Sequence, residues 1–195
     1  KLKLLSSETK SSLRDKSQNI LTTEAFDYNL KDKILKIQKA NLKDSNDNNF
    51  KIDLAYINTI SNKLFGKDIS LDLNNKSFNQ NNEPRLKGNS IIIDDNIAEI
   101  TKGVFTTCKR RQEKCPPWQL QAEKIQHDKS EKVINYKNAW LKVYDVPVVY
   151  FPKFFHPDPT VKRQSGFLTP SVLESSLNGT SVQIPYYKVI SENKD

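Results

Sequence analysis

The chain has 195 residues, which is room for one main folded unit. Hydrophobic residues make up 36% of it and the mean hydropathy is -0.68, yet Ile, Leu, Val, Phe and Tyr recur at regular intervals, which argues against disorder over most of its length. No run approaches the roughly 18 apolar residues that a membrane-spanning helix needs. The net charge of +8 favours an acidic partner, such as nucleic acid, anionic lipid or phosphorylated glycolipid, unless it serves solubility alone.

Residues 1–19 are rich in Ser, Lys, Asp and Gln, which predicts a flexible N-terminal arm. Residues 20–145 then repeat one pattern: an apolar run, a polar turn and a second apolar run. Four copies cover residues 22–42, 50–71, 85–105 and 118–143, with turns at 29–33, 58–62, 94–96 and 127–131. Each copy predicts a β-hairpin, and their repetition predicts stacked units that share a core.

Apolar and polar residues alternate within these runs. Strict alternation predicts an apolar face with the following members: Ile52, Leu54, Tyr56, Ile69, Leu71, Leu73, Ile134, Tyr136 and Trp140. It places Lys51, Asp53 and Ala55 on the opposite face. With no amphipathic helix of ordinary length, the sequence predicts an all-β fold of repeated antiparallel hairpins, an open jellyroll or V-shaped sheet with its apolar faces inward.

The character of the sequence changes after residue 145. Residues 146–164 contain four prolines among apolar and aromatic residues, which excludes a central strand and predicts an extended, buried connector. Two strand-like runs follow at 165–173 and 180–189, around the hairpin signal Asn178–Gly179.

Several landmarks occur together in the second half of the chain. In order, they are FTTC at 105–108, WQL at 118–120, VPVVYFP at 146–152, KRQSGFLTP at 162–170 and IPYY at 184–187. As an ordered set they resemble the LPS-assembly protein LptD family, also called the organic solvent tolerance or OstA family. The earlier repeats resemble, more loosely, the repeat shared by the LptA and LptD periplasmic domains.

The resemblance implies a periplasmic β-jellyroll at 20–145 that receives lipopolysaccharide from an LptA-like bridge. Residues 165–195 would be the first strands of an outer-membrane β-barrel, truncated here, that an LptE-like lipoprotein plugs. The expected place is the periplasmic side of the outer membrane of a Gram-negative bacterium. The alternatives are a stand-alone lipopolysaccharide bridge or other lipid-binding module of the same repeat, and a basic nucleic-acid-binding domain, which most aromatics on the apolar face disfavour.

The implied function is transport, so the predicted apolar face becomes a groove for acyl chains and no cofactor is expected. Neither histidine has a partner at metal-ligand spacing, and no nucleophile motif or phosphate loop is present, which predicts a non-enzyme. Pro170 and Pro185 either mark strand ends or, by resemblance, loosen the barrel seam where lipid leaves sideways.

Cys108 and Cys115 are the only cysteines in the chain. A local disulfide between them, two free thiols, and half of a metal site, the weakest reading, are all compatible with the residues. By resemblance, Cys108 corresponds to a family cysteine that pairs near the far end of the barrel, and that partner is absent from this chain.

Overall fold

The computed structural model describes residues 4–14, 19–45, 47–73, 83–110, 116–157, 161, 165–168, 171–175 and 179–190. These residues form β-strands and no helix, which confirms the all-β prediction. Twelve strands join one antiparallel sheet. They are β1 (Leu4–Ser7), β2 (Ser11–Arg14), β3 (Ile20–Thr23), β4 (Ala25–Asn29), β5 (Ile34–Lys43), β6 (Asn49–Asn58), β7 (Leu64–Asp72), β8 (Arg85–Ile93), β9 (Ile97–Thr106), β10 (Trp118–Asp128), β11 (Val133–Val143) and β12 (Val146–Pro157).

The four predicted hairpins are confirmed: they are β4–β5, β6–β7, β8–β9 and β10–β11. Their turns use side chains that mimic backbone hydrogen bonding. Asn29 Oδ1 accepts from the backbone N–H of Lys31, and Asn58 Oδ1 and Asp128 Oδ1 each accept from backbone N–H groups two and three residues on.

The N-terminal arm predicted at 1–19 is wrong where the structure describes it. Both β1 and β2 are paired, β1 with β4 and β2 with β3, and they form one end of the sheet. Strand β3 ends at Thr23, where the chain passes to β4. The buried hydroxyl of Thr23 lies 2.6 Å from the carbonyl oxygen of Gln38. The polar composition of residues 1–19 does not indicate these strands, because short edge strands bury little apolar surface and can form from mostly polar residues.

The proline-rich segment at 146–157 is also a strand, β12, and not a connector. It pairs with β11 along its whole length and ends the sheet. Proline is tolerated there because an edge strand has one side without ladder partners. A register shift accommodates one extra residue of β12, Val148, because Leu141 pairs with Val149 and Lys142 pairs with Pro147.

The remaining described residues form two short sheets of two strands. Strand β13 (Gly166–Phe167) pairs with β16 (Tyr186–Tyr187), and β14 (Ser171–Ser175) pairs with β15 (Gly179–Gln183). Together they make one interrupted antiparallel hairpin, in agreement with the two predicted strand-like runs.

The core of the sheet lies along one line that crosses β5 to β12, which we call the crease. Here each strand turns two consecutive residues outward, so that two inward residues are three positions apart. The inward residues form two neighbouring rows, Ile37, Ala55, Gly66, Ile91, Ile100, Ile125, Tyr136 and Phe154 in one, and Ala40, Ile52, Ile69, Gly88, Gly103, Ala122, Ala139 and Phe151 in the other. All but Gly88 and Phe151 are buried.

The ladder omits one outward residue of each strand at the crease. These residues are Lys39, Asp53, Asp68, Asn89, Lys102, Glu123, Asn138 and Pro152. In β5, β7, β9 and β11 the omitted residue has a positive φ of 47 to 52°. All of the omitted residues except Pro152 are polar, which fits the position, because backbone groups without ladder partners need water.

Candidate functional site

Two continuous rows of inward residues flank the crease and run across eight strands. The first wall is Leu35, Ile57, Leu64, Ile93, Ala98, His127, Ile134 and His156. The second wall is Leu42, Phe50, Leu71, Leu86, Phe105, Leu120, Leu141 and Val149. Fourteen of these sixteen residues are apolar: the second wall is apolar throughout, and the first is apolar except at His127 and His156 near the β12 end.

Burial differs between the crease and the walls. Most crease residues are buried, whereas the walls are half-buried over β5 to β9. The side chains of a single sheet become this buried only if its two sides fold towards each other along the crease. The crease is therefore the floor of a concave apolar surface, and the walls keep part of their surface available to a ligand.

Aromatic side chains gather at the β12 end of this surface. The Tyr136 hydroxyl lies 2.8 Å from Nε2 of His156, and Nδ1 of His156 lies 2.7 Å from the carbonyl of Pro157. The geometry fits a neutral imidazole that donates from Nδ1 and accepts from the phenol. Burial raises the pKa of the Tyr136 phenol. Phe105 and Phe154 pack beside the His156 ring.

The C-terminal hairpin covers the same end of the concave surface. The Phe167 ring lies 5.0 Å from the Phe154 ring and 6.3 Å from that of Phe151, measured between centroids. A Cβ on Gly166 would lie 2.5 Å from Cδ of Pro157, so only glycine allows this close approach to β12. Val182 and Ile184 also pack against the core. The concave surface is thus more enclosed near β12 than near β5.

Polar contacts tie down the loop that begins at Cys108. The Arg110 guanidinium donates to Asp72, which raises the pKa of Arg110, and its backbone N–H lies 2.9 Å from Oε2 of Glu83. The Arg85 guanidinium donates to the Cys108 carbonyl. These contacts join the end of β9 to β7 and β8, and they hold Arg110 in an ion pair with Asp72.

Five of the predicted groove residues lie on the inner surface. Ile52, Ile69 and Tyr136 belong to the buried crease, and Leu71 and Ile134 belong to the walls. The crease residues are packed by neighbouring strands, so the contact surface left for a ligand is provided mainly by the walls. Sequence alternation alone did not distinguish these two roles.

Three other predicted residues face outward, which corrects their assignment to the apolar face. Tyr56 is 39% exposed while Ala55 beside it is fully buried, because β6 changes face between Ile52 and Ala55. Leu54 pairs with two exposed residues of the neighbouring strands. Trp140 is 43% exposed for the same reason in β11. Leu73 follows the end of β7 and is half-buried.

The predicted cysteine and proline sites are only partly described. Cys108 carries a thiol in this structure, with its Sγ 3.7 Å from the Trp118 carbonyl. Cys115 and Pro170 lie outside the described residues, so the disulfide stays a prediction. Pro185 lies between β15 and β16 instead of inside a strand, and its carbonyl accepts a 2.8 Å hydrogen bond from the backbone N–H of Leu168.

Among the residues that the structure describes, no group of His, Cys, Asp and Glu side chains is arranged to hold a metal ion. Nor does this part of the chain contain a helix that is long and apolar enough to cross a membrane.

Comparison with curated proteins identifies relatives of the chain, although no protein-family model matches it. An LPS-assembly protein LptD of Polaromonas sp. is 39% identical over 105 residues, which are 53% of this chain and 13% of that protein. One of Idiomarina loihiensis is 33% identical over 138 residues, 67% of this chain and 18% of that protein. One of Shewanella frigidimarina is 38% identical over 104 residues, with shares of 53% and 13%.

Fold and site together define a class: an antiparallel β-sheet protein, creased along one line, with an apolar inner surface. Within that class the resemblance seen in the sequence is confirmed, and the chain is a relative of LPS-assembly protein LptD. The chain spans less than a fifth of the length of the curated relatives that it matches.

Proposed function

We propose that this chain acts in lipopolysaccharide assembly and that its creased sheet is an open jellyroll with a V-shaped groove for the acyl chains. The carrying observation is the pair of walls that flank the crease from β5 to β12, apolar in every strand except at His127 and His156 and half-buried over β5 to β9. Seven strand spacings of about 4.8 Å make this strip roughly 34 Å long, enough for extended acyl chains to lie along it.

The groove suits an amphipathic lipid for a physical reason. When acyl chains cover half-buried leucine and isoleucine side chains, the complex is stabilised by roughly 25 cal/mol for each Å² of apolar surface removed from water. Sugars and phosphates, which are costly to desolvate, stay in solvent at the open side. Transport of this kind requires differential solvation and no reacting group, so we propose that the chain is not an enzyme.

The two ends of the sheet are proposed to contact different partners in lipid transport. Strands β1 and β2 form the N-terminal end, with Leu4, Leu5 and Leu13 exposed, and no strand within the described part of the chain pairs with one edge of β1. Such an edge accepts another strand, and we propose that an LptA-like bridge adds there and delivers lipid. The end at β12 leads into residues 165–195.

Residues 165–195 are proposed to begin an outer-membrane barrel, which places the jellyroll on the periplasmic side with an LptE-like lipoprotein inside the barrel. The interruption of the hairpin near Leu168 and Pro185 supports a weakly paired seam, where Pro170 and Pro185 would let lipid leave sideways. A stand-alone bridge of the same repeat is the alternative, and it gives no role to this hairpin.

Photo-crosslinking from adjacent residues tests the groove. In cells that make lipopolysaccharide, a photoreactive side chain replaces either Ile57 or Leu64 of the first wall, or their outward neighbours Tyr56 and Phe65. Each inward residue has its control one position away on the same strand, so expression, strand and depth along the groove are matched.

Lipopolysaccharide adducts at Ile57 and Leu64, together with none at Tyr56 and Phe65, are the expected result. Equal labelling of both faces, or no adduct from either wall position in a correctly folded protein, would show that the inner surface is an ordinary core and that the lipid-conduit proposal fails.

A further inference from the structure

The outer face of β11 and β12 carries exposed aromatic residues beside lysines. We call this the terminal face and define it by Trp140, Val148, Tyr150 and Phe155 with Lys137, Lys142 and Lys153. Trp140 and Tyr150 are register partners whose ring centroids are 4.9 Å apart, and they are 43% and 44% exposed. Phe155 lies near the other end of β12 and is 41% exposed.

The charged residues of β11 and β12 are all lysines, and Glu123 of β10 contacts this face through a hydrogen bond that it accepts from Asn138. Neither β11 nor β12 contains an aspartate or glutamate, whereas the whole chain has 23 of them. Lys137 and Lys153 are register partners, so two positive charges lie side by side on the outer surface. Like charges directly across from each other oppose strand pairing, and an anionic ligand would offset that cost.

We propose that the terminal face docks on the surface of an anionic phospholipid bilayer. Tryptophan and tyrosine favour the head-group region, because each has an apolar ring with a polar tip, and lysine extends its charge towards lipid phosphates. The Tyr150 hydroxyl, 2.9 Å from Oδ1 of Asn138, keeps the aromatic pair ordered before contact. This inference rests on the proposed function, since it places the β12 end against the membrane that residues 165–195 would enter.

The composition of the face favours a bilayer over single-stranded nucleic acid, the other ligand of aromatic and basic surfaces. Arginine is absent from both strands, and exposed Val146 and Val148 offer neither stacking nor hydrogen bonds to a base. Aliphatic side chains do gain from contact with lipid. A second outer apolar row, Tyr56, Phe65 and Ile92, has acidic and basic neighbours, and it provides the control surface.

The test uses the full chain with vesicles of phosphatidylethanolamine and phosphatidylglycerol. The chain has two tryptophans, and Trp118 is only 4% exposed, so a blue shift of emission and quenching by lipids with brominated acyl chains report on Trp140. Vesicle flotation then compares three double variants: Trp140→Ala with Tyr150→Ala, Lys137→Gln with Lys153→Gln, and the control Tyr56→Ala with Phe65→Ala.

The expected result is that Trp140 is quenched and that either terminal-face variant weakens binding at least tenfold while the control binds as the parent does. The effect of the lysine pair disappears on phosphatidylcholine vesicles, and salt screens it.

Unchanged binding of the Trp140/Tyr150 variant, or an equal loss in the control, overturns the inference. Tighter binding of an oligonucleotide, lost in the same variants, overturns it in favour of nucleic acid. If vesicle binding fails but the wall residues still crosslink to lipopolysaccharide, the proposed function stands and only the membrane-docking inference is wrong. If the crosslinks are lost while vesicle binding persists, only the proposed groove function is wrong.

Discussion

Space at the crease is shared between large and small residues of neighbouring strands. In every strand from β5 to β11, one inward residue at the crease is Gly or Ala and the other is Ile or Tyr. A Cβ on Gly88 would lie 2.3 Å from Cγ2 of Ile100, and a Cβ on Gly103 would lie 2.4 Å from Cδ1 of Ile125. Isoleucine therefore occupies the volume that glycine leaves free, which lets the two sides of the sheet approach.

We expect Gly88→Ala to lower the free energy of unfolding by about 1 to 3 kcal/mol, because the added methyl overpacks a site already filled by Ile100. Ile100→Ala removes the clashing Cγ2, so the double variant is less destabilised than the sum of the single changes. Urea denaturation measures all three. Ile37→Ala, three strands away, is the control, and its effect adds to that of Gly88→Ala within about 0.5 kcal/mol.

The Tyr136 phenol makes stability depend on alkaline pH. Unfolded tyrosine loses its proton near pH 10, while burial raises the pKa of the folded Tyr136. The folded chain then binds more protons than the unfolded chain, so this contribution is complete below about pH 10 and is lost as the pH rises further. Tyr136→Phe is expected to cost about 1 to 2 kcal/mol at neutral pH, since His156 loses its donor.

The same variant is expected to lose less stability than the parent between neutral and strongly alkaline pH. Chemical denaturation at several pH values measures this difference, because every other titrating group is shared by the two proteins. Parallel pH profiles would show that Tyr136 ionises alike in both states and would contradict the assignment to burial.

At the scale of the strand, the bend is built from residues in the left-handed region. Lys102 has a φ of 49° in the middle of β9, and the ladder omits it. A non-glycine residue in this conformation costs roughly 1 to 2 kcal/mol. The fold tolerates this backbone strain because the positive φ moves the following residues of the strand to the other face of the sheet at the floor of the groove.

Substitution at Lys102 tests whether this backbone conformation is required. Lys102→Gly is expected to stabilise the chain by about 0.5 kcal/mol, since relief of strain exceeds the added entropy of the unfolded chain. Lys102→Val is expected to destabilise it by about 1 to 2 kcal/mol, because a branched Cβ is disfavoured at positive φ. Lys87→Val, exposed on the neighbouring strand, is the control and changes stability little; an equal loss there would point to the lost charge instead.

Hairpins were predictable from sequence, but the crease was not. Turn residues such as Asn58 and Asp128 and the alternation beside them identified four hairpins correctly. A step of three within a strand moves all later residues to the other face, so strict alternation misplaced Leu54, Tyr56 and Trp140. The crease does have a sequence pattern, which strict alternation does not detect: a large residue three positions from a small one, repeated in successive strands. Strand β12 was missed because prolines at an edge resemble a connector.

The whole sheet behaves as a row of strands in which each one contacts mainly its neighbours. Strands β5 to β12 have 9 to 12 residues and carry the crease, whereas β1 to β4 have only 4 or 5. Stability in such a row is a sum of nearest-neighbour terms, so it need not be uniform. Opening should begin at the N-terminal end, the end where the proposed bridge docks.

Hydrogen exchange followed by mass spectrometry measures this gradient. We expect the slowest exchange in β9 to β11 and the fastest in β1 and β2. Ile125→Ala removes buried crease contacts at a cost of about 2 to 5 kcal/mol, and it should lower protection in β9, β10 and β11 while β5 and β6 keep most of theirs. Leu13→Ala, at an exposed position of β2, is the control and leaves the centre unchanged. A uniform loss of protection from β5 to β12 after Ile125→Ala would mean that the sheet opens as one cooperative unit, and lipid entry could not then rely on local opening at one end.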